Sequence, residues 1–393
     1  MTNKLAKAKN QKTLSRNAII VSTMALFTDT LIMGVVIPVL PLLPSVVEKG
    51  PAATGILFAS YAVMVVVSTL FTGRYVDRAG PKLPLLISLF ALMAATLLFA
   101  TGGPYWLLLI ARSAQGLAGG VVWVAALSLI TATTPFEKRG AAMGMAMSST
   151  SVGSLMGPVI SGFMVEHFGR ASPFLLVAGL ALLDGILRII LIKDIEYKGE
   201  ESGGMTEVLK IPGSLVLGFI TAVGAGIWAA IELVLPQHLN VSSLTIGLLF
   251  ALASVASIIA NPIVGYYFSK PTTIPFIGSG LALLIVSLLI IGFATEIWQT
   301  AVALFILGLA TPLLLMPTTT LMSEQGYKVN PPIVGGTFAF FNLAYAGGMA
   351  VGPVLAGFAV QGFGFSAAMV ITAVIFMIIG ILTLRKFKMF SVA

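Results

Sequence analysis

Residues 153–169 read GSLMGPVISGFMVEHFG, and residues 348–364 read GMAVGPVLAGFAVQGFG. Both fit the frame G-x-x-x-G-P-V-x-x-G-F-x-V-x-x-F-G, 195 positions apart in a chain of 393. A frame repeated at half the chain length implies that the second half copies the first. Other matches keep the register. VLP at 39–41 returns at 234–236 with the same offset of 195, and QGLAGG at 115–120 resembles LGLATP at 307–312 with an offset of 192, which Gly73 and Gly265 share. A few residues were gained between the later motifs, but the order of the repeat is intact.

Composition says what is repeated. Hydrophobic residues make up 58% of the chain and charged residues only 9%. A soluble domain carries roughly 25% charged residues, so this chain cannot cover a water-facing surface, and soluble classes, nucleic-acid binding among them, are excluded. Apolar runs long enough to cross a bilayer recur throughout. Polar and Gly/Pro punctuation divides them into twelve spans near 17–42, 52–74, 83–101, 105–134, 140–166, 172–193, 213–236, 242–268, 274–294, 297–324, 332–361 and 364–385. The long polar break at 194–210, DIEYKGEESGGMTEVLK, falls mid-chain. The expected organisation is a tail at 1–16, a six-helix bundle at 17–193, a linker at 194–212, a second six-helix bundle at 213–385 and a tail at 386–393. The fold class is an all-α membrane protein.

The first apolar segment is longer than the 7–15 residues typical of a cleavable signal and contains Asp29, so it reads as a retained helix. No cysteine and only two His are present. That excludes disulfide and thiolate chemistry, and no cofactor or metal site is implied. With both termini cytoplasmic, 18 of the 22 Lys and Arg residues fall in cytoplasmic segments, a bias that sets orientation and accounts for the net charge of +8. An even number of helices per half makes the repeat parallel. Two such bundles enclose a cleft, and transporters bind substrate there near the midplane.

Charge inside the membrane marks the chemistry. Asp29 lies mid-way along the first span and Glu232 in the seventh. A central acid costs about 3 kcal/mol to insert, which is tolerated where the group faces a cavity. Desolvation disfavours the charged carboxylate, so such a group takes up a proton near neutral pH; when ionised it holds an organic ammonium ion instead. The alternative for each acid is a structural hydrogen bond. Trp123, Trp228, and the helical face formed by Phe338, Asn342, Tyr345 and Met349 supply rings that attract ammonium and aryl groups, or else ordinary packing. Asp184 and Arg188, spaced i,i+4, read as a local ion pair.

GRYVDRAGPK at 73–82 resembles the signature loop of the major facilitator superfamily. Gly73 permits close helix approach, Gly80 a tight turn, and Asp77 can dock on a helix N-terminus with Arg78 pairing locally. The second copy, GYYFSKPTTIP from Gly265, has lost the Asp and the Arg. RSAQGLAGG from Arg112 resembles the helix-4 motif of proton-coupled members. GSLMGPVISG at 153–162 resembles the helix-5 motif of the drug/proton antiporter branch, whose Gly157 and neighbours would bring helices 5 and 8 together while Pro158 bends the helix.

LFTDTLIMGVVIPVLP, PFLLVAGLALLDG and AAIELVLP further resemble the vesicular monoamine and acetylcholine transporter family and its bacterial relatives. The resemblance implies an amine-binding role for Asp29, substrate binding and coupling for Glu232, and a coupling role for Arg112. It departs at Tyr61 and Asn342, expected here as a neutral hydrogen-bonding pair where the family carries Lys and Asp, and near Thr311 or Pro312, where a third acid is missing. Taken whole, the resemblance and the charge pattern imply a monomeric proton-coupled antiporter exporting small cationic, aromatic monoamines across a bacterial inner membrane, with lipid around it. The alternatives are a multidrug/proton antiporter for lipophilic cations and a proton symporter of a neutral solute.

Overall fold

The computed structural model describes residues 2–39, 43–49, 51–191, 205–239, 241, 243–268, 273–329 and 332–391. Twelve long helices dominate. The first half contains α1 (Thr2–Val39), α2 (Pro51–Ala79), α3 (Lys82–Ala100), α4 (Tyr105–Thr133), α5 (Phe136–Phe168) and α6 (Ser172–Leu191). The second contains α7 (Ser214–His238), α8 (Ser243–Tyr267), α9 (Thr273–Phe293), α10 (Ile297–Lys328), α11 (Val334–Phe363) and α12 (Phe365–Ser391). Two single helical turns, Pro44–Val47 and Met205–Val208, complete the described structure, and no strand occurs among the described residues. The part of the linker up to residue 204, positions 40 and 41 of the first VLP, and residues 392–393 of the tail lie outside the described residues. The first helix starts at Thr2, well before the hydropathy limit of 17, because the polar first 16 residues contain no Gly or Pro to stop it.

Ten of these helices are long and apolar enough to cross a membrane. The described apolar part of α12, Phe365–Ile378, is shorter. α5 is the other exception, and the reason is local: glycine, serine and terminal charges dilute its apolar residues. Those small residues are spent on helix contacts. Substituting a Cβ at Gly153 would strike Thr30 Oγ1 and the backbone of Phe27, and at Gly157 the backbone of Gly34 on α1. The repeat does the same in the second half, where Gly348 meets Ala222 and Gly352 meets Gly226 on α7. The last glycine of the frame also serves both halves alike. Gly169 (φ 86°) and Gly364 (φ 79°) take a positive-φ conformation, open to glycine but costly for other residues, at the ends of α5 and α11.

Three buried clusters hold the molecule together. One lies within the first half around Leu31, Phe99 and Phe174, and one within the second around Leu284, Leu288 and Leu304. The third draws on both halves, with Leu26, Val122 and Met143 packed with Met316, Phe338 and Phe341.

The halves meet at the end that bears the chain termini. There Gly73 abuts Gly335, Gly336 and Ala339, so α2 packs on α11; Gly140 abuts Gly265, and Gly144 abuts Asn261 and Pro262, so α5 packs on α8. Thr131 and Ser323 share a 2.8 Å hydrogen bond, and the Arg139 guanidinium lies 4.6 Å from the Tyr327 ring. At the opposite end, Gly162, Gly247 and Gly357 have nothing within 4 Å of where a Cβ would sit. This conformation is closed on the terminus side.

Candidate functional site

Asp29 sits on α1 beneath two donors. Its exposure is 1%. The Trp123 Nε1–H on α4 donates to Oδ2 at 3.1 Å, and the Tyr61 hydroxyl on α2 approaches both carboxylate oxygens at 3.4 and 3.5 Å. The Arg112 guanidinium lies over the Tyr61 ring, 4.5 Å from its centroid, and its Nη1 donates to Gln115 Oε1 at 3.0 Å. A cation over the ring face and a carboxylate at the ring hydroxyl thus flank Tyr61 inside the first half.

Glycines of the α4 motif make room for this. A Cβ at Gly116 would strike the backbone of Tyr61, and one at Gly119 would lie 2.7 Å from the Tyr61 hydroxyl and 2.8 Å from Asp29 Oδ1. The motif's glycines are therefore not generic packing: they bring α2 and α4 close enough for Tyr61 to reach the acid. Gly119→Ala is expected to cost about 1–3 kcal/mol by overpacking, seen as a lower thermal unfolding midpoint in detergent. Gly162→Ala, in open space, serves as the control; equal melting of the two variants would show that this gap is not needed.

Glu232 lies on α7 in a different setting. It is exposed, and the Trp228 Nε1–H one turn earlier donates to its Oε1 at 2.8 Å. From α11, Tyr345 lies within the electrostatic reach of this carboxylate. The two acids occupy equivalent helices but different levels. Asp29 precedes Val39 of the first VLP by ten residues, and Glu232 precedes Val234 of the second by two. Eight residues of helix correspond to about 12 Å along the axis, which puts Asp29 deeper toward the closed end.

The two settings are joined by rings. Trp123 stacks on Tyr345 across the interface of the halves, with centroids 5.8 Å apart and planes at 26°, and Tyr345 stacks on Phe341 at 6.2 Å. Both Trp123 and Tyr345 pack against the cluster that contains Phe338 and Phe341. Phe338 is fully buried in that cluster. Asn342, also buried, donates to Thr69 Oγ1 on α2 at 2.8 Å. The expected Tyr61–Asn342 pair therefore does not form: Tyr61 turns to Asp29, and Thr69, two turns further along α2, takes the amide.

The gating residues divide. Asp77, 2% exposed, accepts the backbone N–H of Gly335 at 2.6 Å and of Gly336 at 2.9 Å, so it caps α11 across the interface. Gly73 provides the close approach beside it, and Gly80 (φ 73°) makes the turn that ends α2, with Arg78 exposed next to it. Gly157 and Pro158 do not bring α5 to α8. They face Gly34 on α1, whereas Gly140 and Gly144 carry the α5–α8 contact. From Gly144 to Gly153 is nine residues, about 900° of helix, so the two glycine pairs face opposite sides. Asp184 and Arg188 do form an ion pair, fully buried, and Arg188 also donates to the Leu85 carbonyl at 2.5 Å. Gln115, Gly119 and Thr69 were not singled out by sequence; the i,i+3 spacing of Arg112 and Gln115 was the one available signal. Among the described residues no cluster of His, Asp and Glu could hold a metal ion.

Comparison with known proteins fits this arrangement. A chromaffin granule amine transporter of Rattus norvegicus is 32% identical over 339 residues, 84% of this chain and 64% of its own length. A synaptic vesicular amine transporter of Homo sapiens is 30% identical over 332 residues, 82% of this chain and 64% of its own length. A vesicular acetylcholine transporter of Torpedo torpedo is 27% identical over 342 residues, 82% of this chain and 66% of its own length. The chain thus spans about 64% of the length of the amine transporters it matches. Among solved structures, a human organic anion transporter superposes with a TM-score of 0.82 at 16% identity, covering 94% of this chain and 99% of that one. The E. coli fucose:proton symporter gives 0.74 at 15%, covering 94% and 98%; at these identities the likeness is one of fold. The Major Facilitator Superfamily family model matches residues 22–214 and again 213–388, one match per half of the repeat. An all-helical chain of two matching halves, closed at one end around buried acids, this protein belongs to the major facilitator superfamily of membrane transporters.

Proposed function

We propose that the protein exchanges protons for a small cationic aromatic amine by alternating access. The observation that carries this reading is that Asp29 and Glu232, on equivalent helices, each accept a hydrogen bond from an indole N–H. An indole only donates, so it occupies the position that an ammonium N–H would take. An incoming amine displaces an indole and gains a charge partner, while the freed rings of Trp123, Trp228 and Tyr345 face its aryl group. A proton on the carboxylate removes that charge partner, so proton and amine compete for the same oxygens. The names of the amine-transporting relatives support the substrate class.

In this cycle Glu232, the exposed acid, meets substrate and protons first. Asp29, the deep acid, commits the carrier. Arg112 holds a positive charge over the Tyr61 ring, whose hydroxyl meets Asp29. Asp77, with Gly73, Gly80 and Arg78 around it, latches the terminus side while the opposite side is open. The bias of 18 of 22 basic residues supports a cytoplasmic terminus side, and in a bacterial inner membrane with an inward proton gradient the exchange is efflux.

The test is uptake of a radiolabelled aromatic monoamine into proteoliposomes under an imposed pH gradient, with and without ethidium. Saturable, gradient-driven uptake that bulky dyes barely inhibit is expected; no response to the gradient would reject proton exchange, and strong ethidium competition would favour the lipophilic-cation alternative. Glu232→Gln is expected to cut gradient-driven uptake roughly tenfold, about 1.4 kcal/mol, while amine–amine counterflow falls less, since counterflow needs no proton step. Equal loss of both would contradict its assignment to coupling.

A further inference from the structure

Thr96 lies on α3, fully buried, and its two hydrogen bonds go to Leu92 and Gln115. Its hydroxyl donates to the Leu92 carbonyl one turn back at 2.7 Å. A hydroxyl has one hydrogen, so toward any other neighbour Thr96 is an acceptor. That neighbour is Gln115, whose Nε2 donates to Thr96 Oγ1 at 3.2 Å. An amide with its nitrogen thus held must turn its carbonyl oxygen the other way, and that oxygen receives Arg112 Nη1 at 3.0 Å. The opposite amide orientation would set an N–H against the guanidinium and would leave the amide oxygen facing Thr96, whose proton is already committed.

We propose that Thr96 is a positioning residue: through Gln115 it holds the Arg112 guanidinium over Tyr61 and so sets how tightly Asp29 binds a proton. The inference rests on the reading of Asp29 as the proton site. The other groups that face Asp29 have been accounted for. Tyr61 comes from α2, and Arg112 and Trp123 from α4. From α6 comes the field of Arg188, which Asp184 neutralises locally. α5, packed along α1, brings glycine rather than charge to this level, and α3 has no ionisable residue beyond Lys82 at its start. Arg112 is therefore the cation whose position is adjustable, and Thr96 adjusts it without contributing charge of its own.

The test reads Asp29 without transport. Trp123 donates directly to the carboxylate, so in a background with W106F, W228F and W298F its fluorescence reports protonation of Asp29, and D29N in that background supplies the baseline. Thr96→Val keeps the volume but removes the acceptor, leaving a buried Gln115 N–H that must turn away. Without the Gln115 contact the guanidinium is held less closely in its place over Tyr61, and the carboxylate, with its cation less well placed, binds its proton more tightly. The fluorescence midpoint should move up by roughly half a pH unit or more. Thr96→Ser, which keeps the hydroxyl, should titrate like the parent. Gln115→Met should shift the midpoint as Thr96→Val does, and the double variant should shift no further. A Thr96→Val protein that melts lower but titrates unchanged overturns the proposal, as does an equal shift in Thr96→Ser. If the shifts appear but no amine is transported, the relay stands and the amine reading falls.

Discussion

Asp29→Asn should abolish proton-linked amine binding. The amide keeps the shape of the carboxylate and can still accept the Trp123 N–H, so the fold around α1, α2 and α4 is expected to survive. What disappears is the charge. An ammonium ion entering a site with 1% exposure meets no counter-ion, and leaving one partner of a buried charge pair alone costs about 3–5 kcal/mol. The expected rise in Kd is a hundredfold or more, ~3 kcal/mol. The pH dependence gives the sharper signature. In the parent, protons compete with amine for the same oxygens, so binding weakens as pH falls. In Asp29→Asn binding should be weak, with only the shallower pH dependence of Glu232 remaining. Calorimetry at several pH values, with buffers of different ionisation enthalpy, measures both the affinity and the proton released per amine bound. Retained affinity, or a parent that releases no proton, would remove Asp29 from the centre of the scheme.

The second large effect is expected at Asp77→Asn. In the closed end, Asp77 receives two backbone N–H bonds from Gly335 and Gly336 at the start of α11. A bond to a charged group contributes about 1.5–3 kcal/mol, and the α11 dipole adds to it. The neutral amide keeps one acceptor oxygen and loses the charge, so the closed terminus side should be destabilised by ~2–3 kcal/mol, a population shift of roughly 30- to 150-fold. The chain has no native cysteine, so nitroxide labels at Lys138→Cys on α5 and Tyr267→Cys on α8, both exposed, would report the gap directly. Longer label distances in Asp77→Asn than in the parent are expected; an unchanged distribution would mean that the remaining contacts hold this end shut without the Asp77 charge.

The contrast between the two seams gives this prediction its direction. α2 and α11 join through Gly73 and Asp77, whereas α5 and α8 join through Gly140 and Gly265. The counterpart of the Asp77 loop after α8 has lost its acid. One seam thus has a charge-based latch, and without it the uncharged contacts of both seams are all that resists opening of the closed end.

Much of this was legible from residue order alone. Repetition, hydropathy and helix parity are properties of the chain read in one dimension, so the two six-helix halves and the placing of Asp29 and Glu232 within apolar helices were readable without coordinates. The tertiary structure alone decided which groups meet. Asn342 takes Thr69 rather than Tyr61; Gly157 serves α1 rather than α8; Gln115 links Thr96 to Arg112. Each of these depends on the azimuth of a helix and its depth against a neighbour. A span boundary uncertain by two residues leaves some 200° of rotation open, and it is the packing of one helix against the next that removes it.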